Sequence, residues 1–598
     1  MCGIYITNIP FQEEEVKVKL KKIQYRGPDY LGVIKKNLIT LGHLRLSILD
    51  LDSRSNQPYQ FEHLIIVYNG EIYNFKEIKN QLIKIGYIFN TTSDTEVLLK
   101  GYYEWGDKIL EKLNGMFAFA IYDLKNEEVF CARDRLGVKP FYYYWKNGQF
   151  EICSQLQPLM NDYSQISTQA ISVYLSTGYI PSPLSILEDV FKLEPGYTLT
   201  IQLNSKKIIR KKYWDLNKVE TLDITYDDAK LKLEELIRDA VKIRMQSDVP
   251  LGTFLSGGID SALVTSIAAK ISKSKIKTFT IGFDDPKYDE SNLAEEFASI
   301  IGTEHKTIKC TEEDVLELIP KLIEAYDEPF ADSSALPSLL LNKKTKEHVT
   351  VALSGDGGDE SFIGYNHFKT ISKFEKLNRI PFFLRKSLSF LLPKENKYKI
   401  ILECKSEDEF IKRIFVYNQL FKNENTLDIL DLYYTKYKNL SANPIQKAAD
   451  LNIKLWLEND SNVKVDRASM AFSVEVRSPF LDYRIVEFAR KLPLDFKFNG
   501  NETKKILKDV LSNYIPSEVF NKPKSGFSIP LYNWMQNELK QEIDSNIRLE
   551  LFKKIRNFDK IYEKIDFNNN LLKWRIYILS KWINLNFRNN DNVNDKEI

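Results

Sequence analysis

Residues 250–264 read PLGTFLSGGIDSALV, and the fold of the larger part of the chain follows from them. A short apolar run, PLGTFL, enters a turn made of Ser256, Gly257 and Gly258, and a helix-type pattern starts near Asp260. A strand that passes through a glycine turn into a helix is the first unit of a parallel α/β sheet. The alternation continues downstream, with SALVTSIAAKIS and ESNLAEEFASIIG as helices and IKTFTIGF and HVTVALSG as strands. After Gly364 the pattern turns mainly helical and aromatic.

Small residues in the 256–261 turn let backbone N–H groups approach a phosphate at a helix N-terminus. The same turn would also serve as a plain strand-to-helix connection that uses glycine for positive φ. It is not a Walker A loop, because no Gly-Lys-Ser/Thr follows. Asp260 shifts the balance, since an acid beside phosphates repels them unless a cation lies between. HVTVALSG then runs into DGGDES, which sets Asp356, Asp359 and Glu360 on a second glycine loop. Ligands of open α/β sheets bind beyond the carboxyl ends of the strands. The two loops can therefore face one pocket, and a magnesium-nucleotide complex is its predicted occupant.

Upstream, to about residue 205, β-type segments such as HLIIVYNGEIYN, MFAFAIYDL, EVFCARD and PFYYYW predict an α+β domain on antiparallel sheet. The expected boundary lies between 205 and 225, before the helical pattern AKLKLEELIRDAVKIRM from Ala229. This half opens MCGIYITN, where Ile4 and Ile6 alternate with Tyr5 and Thr7 as in a strand. Cys2 is then either a small buried thiol or, once Met1 is removed, a nucleophile with its own α-amine as base. An α-amine titrates near ~7.7–8.0 and a thiol near ~8.5, so one residue can supply both groups at neutral pH.

At 598 residues the chain has room for three or more domains. Its 84 Lys+Arg against 82 Asp+Glu give a net charge of +2, so no global field calls for a nucleic-acid or membrane partner. Cysteines 2, 131, 153, 310 and 404 show no CxxC spacing and the five histidines do not cluster, which predicts a reduced compartment without structural zinc. No signal-peptide pattern or apolar span of ~18 residues is present, so a cytoplasmic location is expected. The end of the chain, 589–598, reads as a polar tail.

With these residues in view, nearly the whole chain resembles the glutamine-dependent asparagine synthetases of the asparagine synthase B type. In the first half the resemblance rests on MCGI, QYRGPD, GHLRLSILD, YNGEIYN, SDTEVLL, NGMFAFAIYD and RDRLGVKPFYY. In the second it rests on LSGGIDSAL, TFTIGF, DEPFADSSALP, LSGDGGDE, VKVDRASMAFSVEVRSPFLD and KPKSGFSIPL. It implies a class II glutamine amidotransferase of the N-terminal nucleophile type over 2–205 and an ATP pyrophosphatase-type synthetase over 225–588. Cys2 is the implied nucleophile. Arg45, the following Leu46, Ser47, Ile48 and Leu49, and Glu71 would bind glutamine, with Asp94 on its α-amine. Asn69 and the Gly70 N–H would hold the oxyanion, although Asn-Gly also reads as a hairpin turn.

By the same resemblance, Leu255, Ile281, Ser354 and Gly355 would line ATP and the loop Ser256, Gly257, Gly258, Asp260, Ser261 would hold pyrophosphate. Asp260 and Asp359 are the implied magnesium ligands, and Asp356 takes the position tied to acyl-adenylate formation, where Glu is frequent. Lys504, with Lys505 as the adjacent register, would neutralise departing pyrophosphate. Arg477 would grip the acceptor or pyrophosphate, or else form a structural salt bridge. The implied reaction converts aspartate to asparagine with ATP and ammonia from glutamine, releasing AMP, pyrophosphate and glutamate. An apolar passage would carry the ammonia. Homodimers are common in the family, and the resemblance allows one here.

Gln155, Ser361, Ile363 and Phe472 depart from the family pattern, where Glu, Leu, a small residue and His are usual. Ile363 and Phe472 could reshape the acceptor mouth, which keeps open another carboxylate, such as a uronic acid sugar of surface polysaccharide. A catalytically silent binding homologue is a third reading. Against it stands the intact set Cys2, Arg45, Asn69, Asp94, Asp260 and Asp359.

Overall fold

The computed structural model describes residues 2–160, 164–393, 397–415, 424–521, 529–547, 552, 555 and 569–587. Strand β1 (Gly3–Thr7) is buried along its whole length, because it runs inside a sheet covered on both faces. The strands that follow are β2 (Tyr30–Lys36), β3 (Ile39–Arg45), β4 (Tyr59–Phe61), β5 (Leu64–Ile72), β6 (Gly115–Asp123) and β7 (Glu128–Arg133). Then come β8 (Tyr142–Lys146), β9 (Gln149–Cys153), β10 (Val190–Lys192), β11 (Tyr197–Gln202) and β12 (Lys207–Lys212). They form two six-stranded antiparallel sheets, ordered β10-β8-β9-β1-β3-β2 and β12-β11-β7-β6-β5-β4.

Ile4, Ile6, Ile39 and Leu41 of the first sheet pack with Ile65, Val67, Ala118, Ala120 and Val129 of the second, so the sheets form a sandwich. Helices Phe75–Lys84 and Asp94–Trp105 cover the second sheet's other face through Ile78, Leu82, Val97 and Leu98. The expected edge of this unit at 205 falls short, since β12 pairs with β11 through Lys212. That strand, KIIRKK, is an exposed, basic edge strand. Its polar residues protect the edge and hide it from a search for apolar alternation.

Helix Tyr226–Arg244 opens the second half, capped by the Thr225 hydroxyl on the Asp228 N–H. Strands β13 (Leu251–Phe254), β14 (Lys277–Gly282), β15 (Glu304–Lys309), β16 (Val351–Leu353) and β17 (Glu475–Arg477) form a parallel sheet ordered β15-β14-β13-β16-β17. β14 and β15 lie on one side of β13 and β16 and β17 on the other, so the order reverses at β13/β16. Ligand crevices open at such a switch point, and the loops containing Asp260 and Asp356 leave from there. The strand expected from HVTVALSG supplies only Val351–Leu353.

Helices fill the rest. A π-helix, Asn452–Ser461, joins helix Pro444–Leu451 to helix Asn462–Met470. The last helix, Asn570–Phe587, returns to the first half, where Arg575 Nη1 donates to Leu175 O at 2.8 Å and Tyr174 Oη donates to Arg575 O at 2.8 Å. One apolar core therefore contains Tyr5 and Tyr174 together with Phe279, Leu322, Trp574 and Trp582. Met1, the 522–528 part of KPKSGFSIPL, residue 588 and the tail 589–598 lie outside the described residues. Among those described, no helix is long and apolar enough to cross a membrane.

Candidate active sites

Cys2 precedes β1, and its backbone N–H donates to Asn69 Oδ1 at 2.9 Å. Asn69 and Gly70 lie inside β5, opposite Ala118 and Phe117 of β6. The Asn-Gly pair is thus strand rather than hairpin turn. Glycine is required at 70 because a Cβ there would meet Met116 O at 2.1 Å and Phe117 Cα at 2.7 Å. Asn69 is fully buried, and its Nδ2 has no hydrogen-bond partner among the described residues. A buried donor left open costs on the order of 1–3 kcal/mol. Here it belongs to the same amide that holds Cys2.

Burial pushes the Cys2 thiol up, while the Leu46 N–H and the Arg45 charge oppose that rise. Arg45 closes β3, and its terminal nitrogens donate to Asp52 O at 2.9 Å, Asn56 Oδ1 at 2.8 Å, Leu49 O at 3.3 Å and Asp50 O. Ser47 N–H bonds Asp29 Oδ2 at 2.7 Å. Leu46 and Ile48 pack with Tyr73, Met116, Val351 and Met470 from both halves of the chain. Asp94 starts its helix and accepts from Tyr68 Oη at 2.8 Å and Ile72 N at 2.9 Å; burial raises its carboxyl against those bonds. His43, opposite Ile4 in β3, is pushed down to about 3 by burial and stays neutral.

In the second half, the Ser256–Ser261 turn closes on itself. Ser261 Oγ reaches Ser256 Oγ at 3.0 Å and donates to Gly258 O at 3.0 Å. Leu255 N–H bonds Phe279 O at 2.9 Å, and Leu255 and Ile281 are buried beneath the loops. Glycines let the two loops touch: a Cβ on Gly358 would lie 2.5 Å from Asp260 Cγ, and one on Gly355 would lie 2.7 Å from Ser261 N. Lys504 Nζ sits 2.5 Å from both Asp260 Oδ2 and Asp359 Oδ1. Burial alone would lower this lysine, but the two carboxylates hold it well above its ordinary value. Lys505 instead places its ammonium 4.6 Å from the Tyr226 ring.

Asp356, at the head of the second loop, is raised by burial, with the Ser354 hydroxyl and the Lys464 charge opposing. Ser354 N–H bonds Arg477 O at 3.0 Å. The expectation that Arg477 grips the acceptor or pyrophosphate is corrected here. It is fully buried and donates to Glu475 Oε1 at 2.7 Å, Glu71 Oε2 at 3.1 Å, Arg244 O at 2.9 Å and Gln246 O at 2.6 Å. Arg477 is a buried salt bridge that ties β17 to the glutamine-side strand β5, and Glu71 is the group it reaches there.

The asparagine synthase family model matches residues 232–565, and the glutamine amidotransferase domain model matches residues 1–214. Glutamine-hydrolyzing asparagine synthetase 1 of Bacillus subtilis is 36% identical over 557 residues, covering 90% of this chain and 87% of its own. The chain belongs to the glutamine-hydrolysing asparagine synthetase family. A Methanocaldococcus jannaschii relative is 37% identical over 516 residues, 79% of this chain and 98% of its own. Membership makes the protein a glutamine-dependent carbon–nitrogen ligase with its amidotransferase domain first.

The departures from the family pattern have local explanations. Gln155 accepts from Arg26 Nη1 at 3.1 Å and donates to Asp327 Oδ2 at 2.9 Å and Ala325 O at 3.1 Å. A glutamate there would set a second carboxylate against Asp327. Ile363 has φ 59°, strained for a β-branched residue, but its side chain packs with Phe368 and Ile371 in a separate helical cluster. Ser361 is buried, and Phe472 packs half-buried on the large shared core.

Two charged residues, Lys464 and Arg26, escaped sequence reasoning, and Glu360 was read only as part of the acidic second loop. Lys464 lies 2.7 Å from Asp332 Oδ2, with its charge bearing on Asp356. Glu360 is pushed up to about 7 by burial and the Asp359 charge, and accepts from Tyr365 Oη at 2.6 Å. Arg26 bonds the Cys2 carbonyl at 3.1 Å. Only the RGPD and VKVDRAS signatures hinted at Arg26 and Lys464.

Proposed function

We propose that the protein makes asparagine from aspartate with two centres. The observation that carries the reading is the Lys504 ammonium between Asp260 and Asp359 at the ends of β13 and β16. Two acids that already enclose a cation suit magnesium, which binds through one or two carboxylates plus phosphate oxygens and water. Bound there, the ion would offset the charge of ATP's phosphates. Lys504 would then move to the departing pyrophosphate, and the Ser256–Ser261 turn would present its N–H groups to phosphate oxygens. Asp356, on the second loop, would stand near the acceptor carboxylate as its oxygen attacks the α-phosphorus.

After loss of Met1, the Cys2 amine stays oriented by Asn69 Oδ1 and takes the thiol proton. The thiolate adds to the glutamine side-chain carbonyl, and the Asn69 Nδ2 and Gly70 N–H groups receive the oxyanion. The amine returns its proton to the leaving ammonia, and water hydrolyses the thioester to glutamate. Arg45 and Asp94 suit the α-carboxylate and α-amine of glutamine by charge, with the Leu46–Leu49 loop beside them. The Leu46, Ile48, Tyr73, Met116, Val351 and Met470 cluster spans the two halves and is the proposed apolar route for ammonia. Ammonia displaces AMP from the acyl-adenylate.

The test supplies glutamine, magnesium-ATP and a panel of carboxylates including aspartate and a uronic acid sugar. Aspartate-dependent AMP and asparagine are expected. AMP with the sugar alone would reassign the acceptor, and AMP with none would return the silent-homologue reading.

A further inference from the structure

Arg26 lies in the short 3-10 turn Gln24–Arg26 and is fully buried. Its Nε donates to Cys2 O at 3.1 Å. Its two terminal nitrogens take both oxygens of Asp466, Nη1 at 2.9 Å and Nη2 at 3.1 Å. Asp466 belongs to the synthetase half, on helix Asn462–Met470. A bidentate pair of this kind fixes the direction of the guanidinium plane as well as its distance. The Cys2 residue is thus held at both ends of its backbone: the N–H by Asn69 of its own half, and the carbonyl by an arginine aimed from the other half.

The surroundings reinforce that aim. Arg467 Nη1 lies 2.6 Å from Asp466 Oδ2 and Lys139 Nζ lies 3.8 Å from Oδ1. Burial would raise the Asp466 carboxyl, but Arg26, Arg467 and Lys139 overcome it and hold the group well below the usual carboxylate range. The same helix carries Lys464, whose ammonium bonds Asp332 at 2.7 Å and bears on Asp356. One helix therefore carries a side chain whose charge bears on Asp356 and another that holds the backbone clamp of Cys2.

We propose that Asp466 is a positioning residue of the glutaminase reaction, which through Arg26 sets the Cys2 backbone, so that the first half's nucleophile is completed by the second half. The inference rests on the reading of Cys2 as nucleophile. A nucleophile displaced by about 1 Å can lose on the order of 10²-fold in rate, so the effect should appear in kcat.

The experiment uses the full-length protein. Asp466→Asn should lower glutaminase kcat by roughly ten- to a hundredfold, with glutamine KM and ammonia-dependent AMP formation close to the parent. Asp466→Glu, which keeps the charge, should recover part of the loss. A merely structural role would instead lower both activities and the melting temperature together. Should the asparagine variant fail to fold because Arg26 is left buried and uncompensated, the pair Arg26→Gln with Asp466→Asn removes both charges and should remain slow in glutaminase alone. If only Asp466→Glu folds, its glutaminase kcat is read the same way. Parental glutaminase kcat in any folded variant overturns the inference. Cys2→Ala separates the two ideas: retained glutaminase there defeats the reading of Cys2, whereas complete loss there with an unaffected Asp466→Asn defeats the positioning role alone.

Discussion

The side-chain amide of Asn69 uses its two ends differently, Oδ1 on the Cys2 N–H and Nδ2 with no acceptor among the described residues. In the proposed reaction, replacing it by alanine would remove one oxyanion donor, a loss of about 3–4 kcal/mol, or roughly 10²–10³ in kcat. Asn69→Ala should therefore slow glutamate release by that factor while AMP formation from ammonia is unchanged; unaltered glutamate release would remove Asn69 from the oxyanion role. The sequence named residues that the structure brings around Cys2, Asn69 and Arg45 among them, but not the secondary structure of Asn69 and Gly70. Asn-Gly is a strong local turn signal, and only the nine-residue ladder between β5 and β6 overrides it. Arg477 failed in the other direction. Its type suited an anion site, yet Glu71 and Glu475, distant in sequence from each other, claim it.

At the scale of elements, the two glycine loops meet because no side chain intervenes. A Cβ on Gly364 would lie 1.9 Å from Asp359 Oδ1 and 2.2 Å from Lys504 Cε. Asp260→Asn or Asp359→Asn should abolish synthesis from both glutamine and ammonia, because phosphate charge is then left uncompensated, and should spare most glutamine hydrolysis. Asparagine formed from ammonia at the parental rate would refute the metal assignment.

Lys497, ending helix Leu494–Lys497, offers a test of packing. It is fully buried, donates to Gln446 Oε1 at 2.7 Å and Ala489 O at 2.6 Å, and is pushed down to about 7 by burial. The unfolded chain binds this proton up to about pH 10.4, so between those values unfolding takes up a proton and stability rises with pH. The contribution is whole above the unfolded value and is lost as pH falls to about 7. Measured by urea titration, the parent should gain on Lys497→Met by on the order of 1 kcal/mol per pH unit across that window. A constant difference would mean the lysine keeps its ordinary proton affinity. Strands with a clear alternating pattern, such as β14, were readable from it. The three-residue strand β17 and the π-helix Asn452–Ser461 were not, because neither is long enough or regular enough to show a period.

For the whole molecule, the order of an antiparallel sandwich followed by a parallel sheet was visible in the change of pattern near residue 225. The joining of the halves was not, because it depends on contacts such as Arg26–Asp466, Glu71–Arg477 and the return of helix Asn570–Phe587. Local periodicity carries no trace of such pairings. The joined architecture has one chemical purpose in the proposed reaction: ammonia released at Cys2 meets a carboxylate already activated beside Asp356. The most direct measurement is therefore the fate of oxygen. Aspartate labelled in its β-carboxyl oxygens is supplied with glutamine and magnesium-ATP, and the AMP is examined by mass spectrometry. Transfer of one labelled oxygen to AMP, together with formation of asparagine, is the predicted result; asparagine formed with unlabelled AMP, or no aspartate-dependent AMP at all, would contradict it.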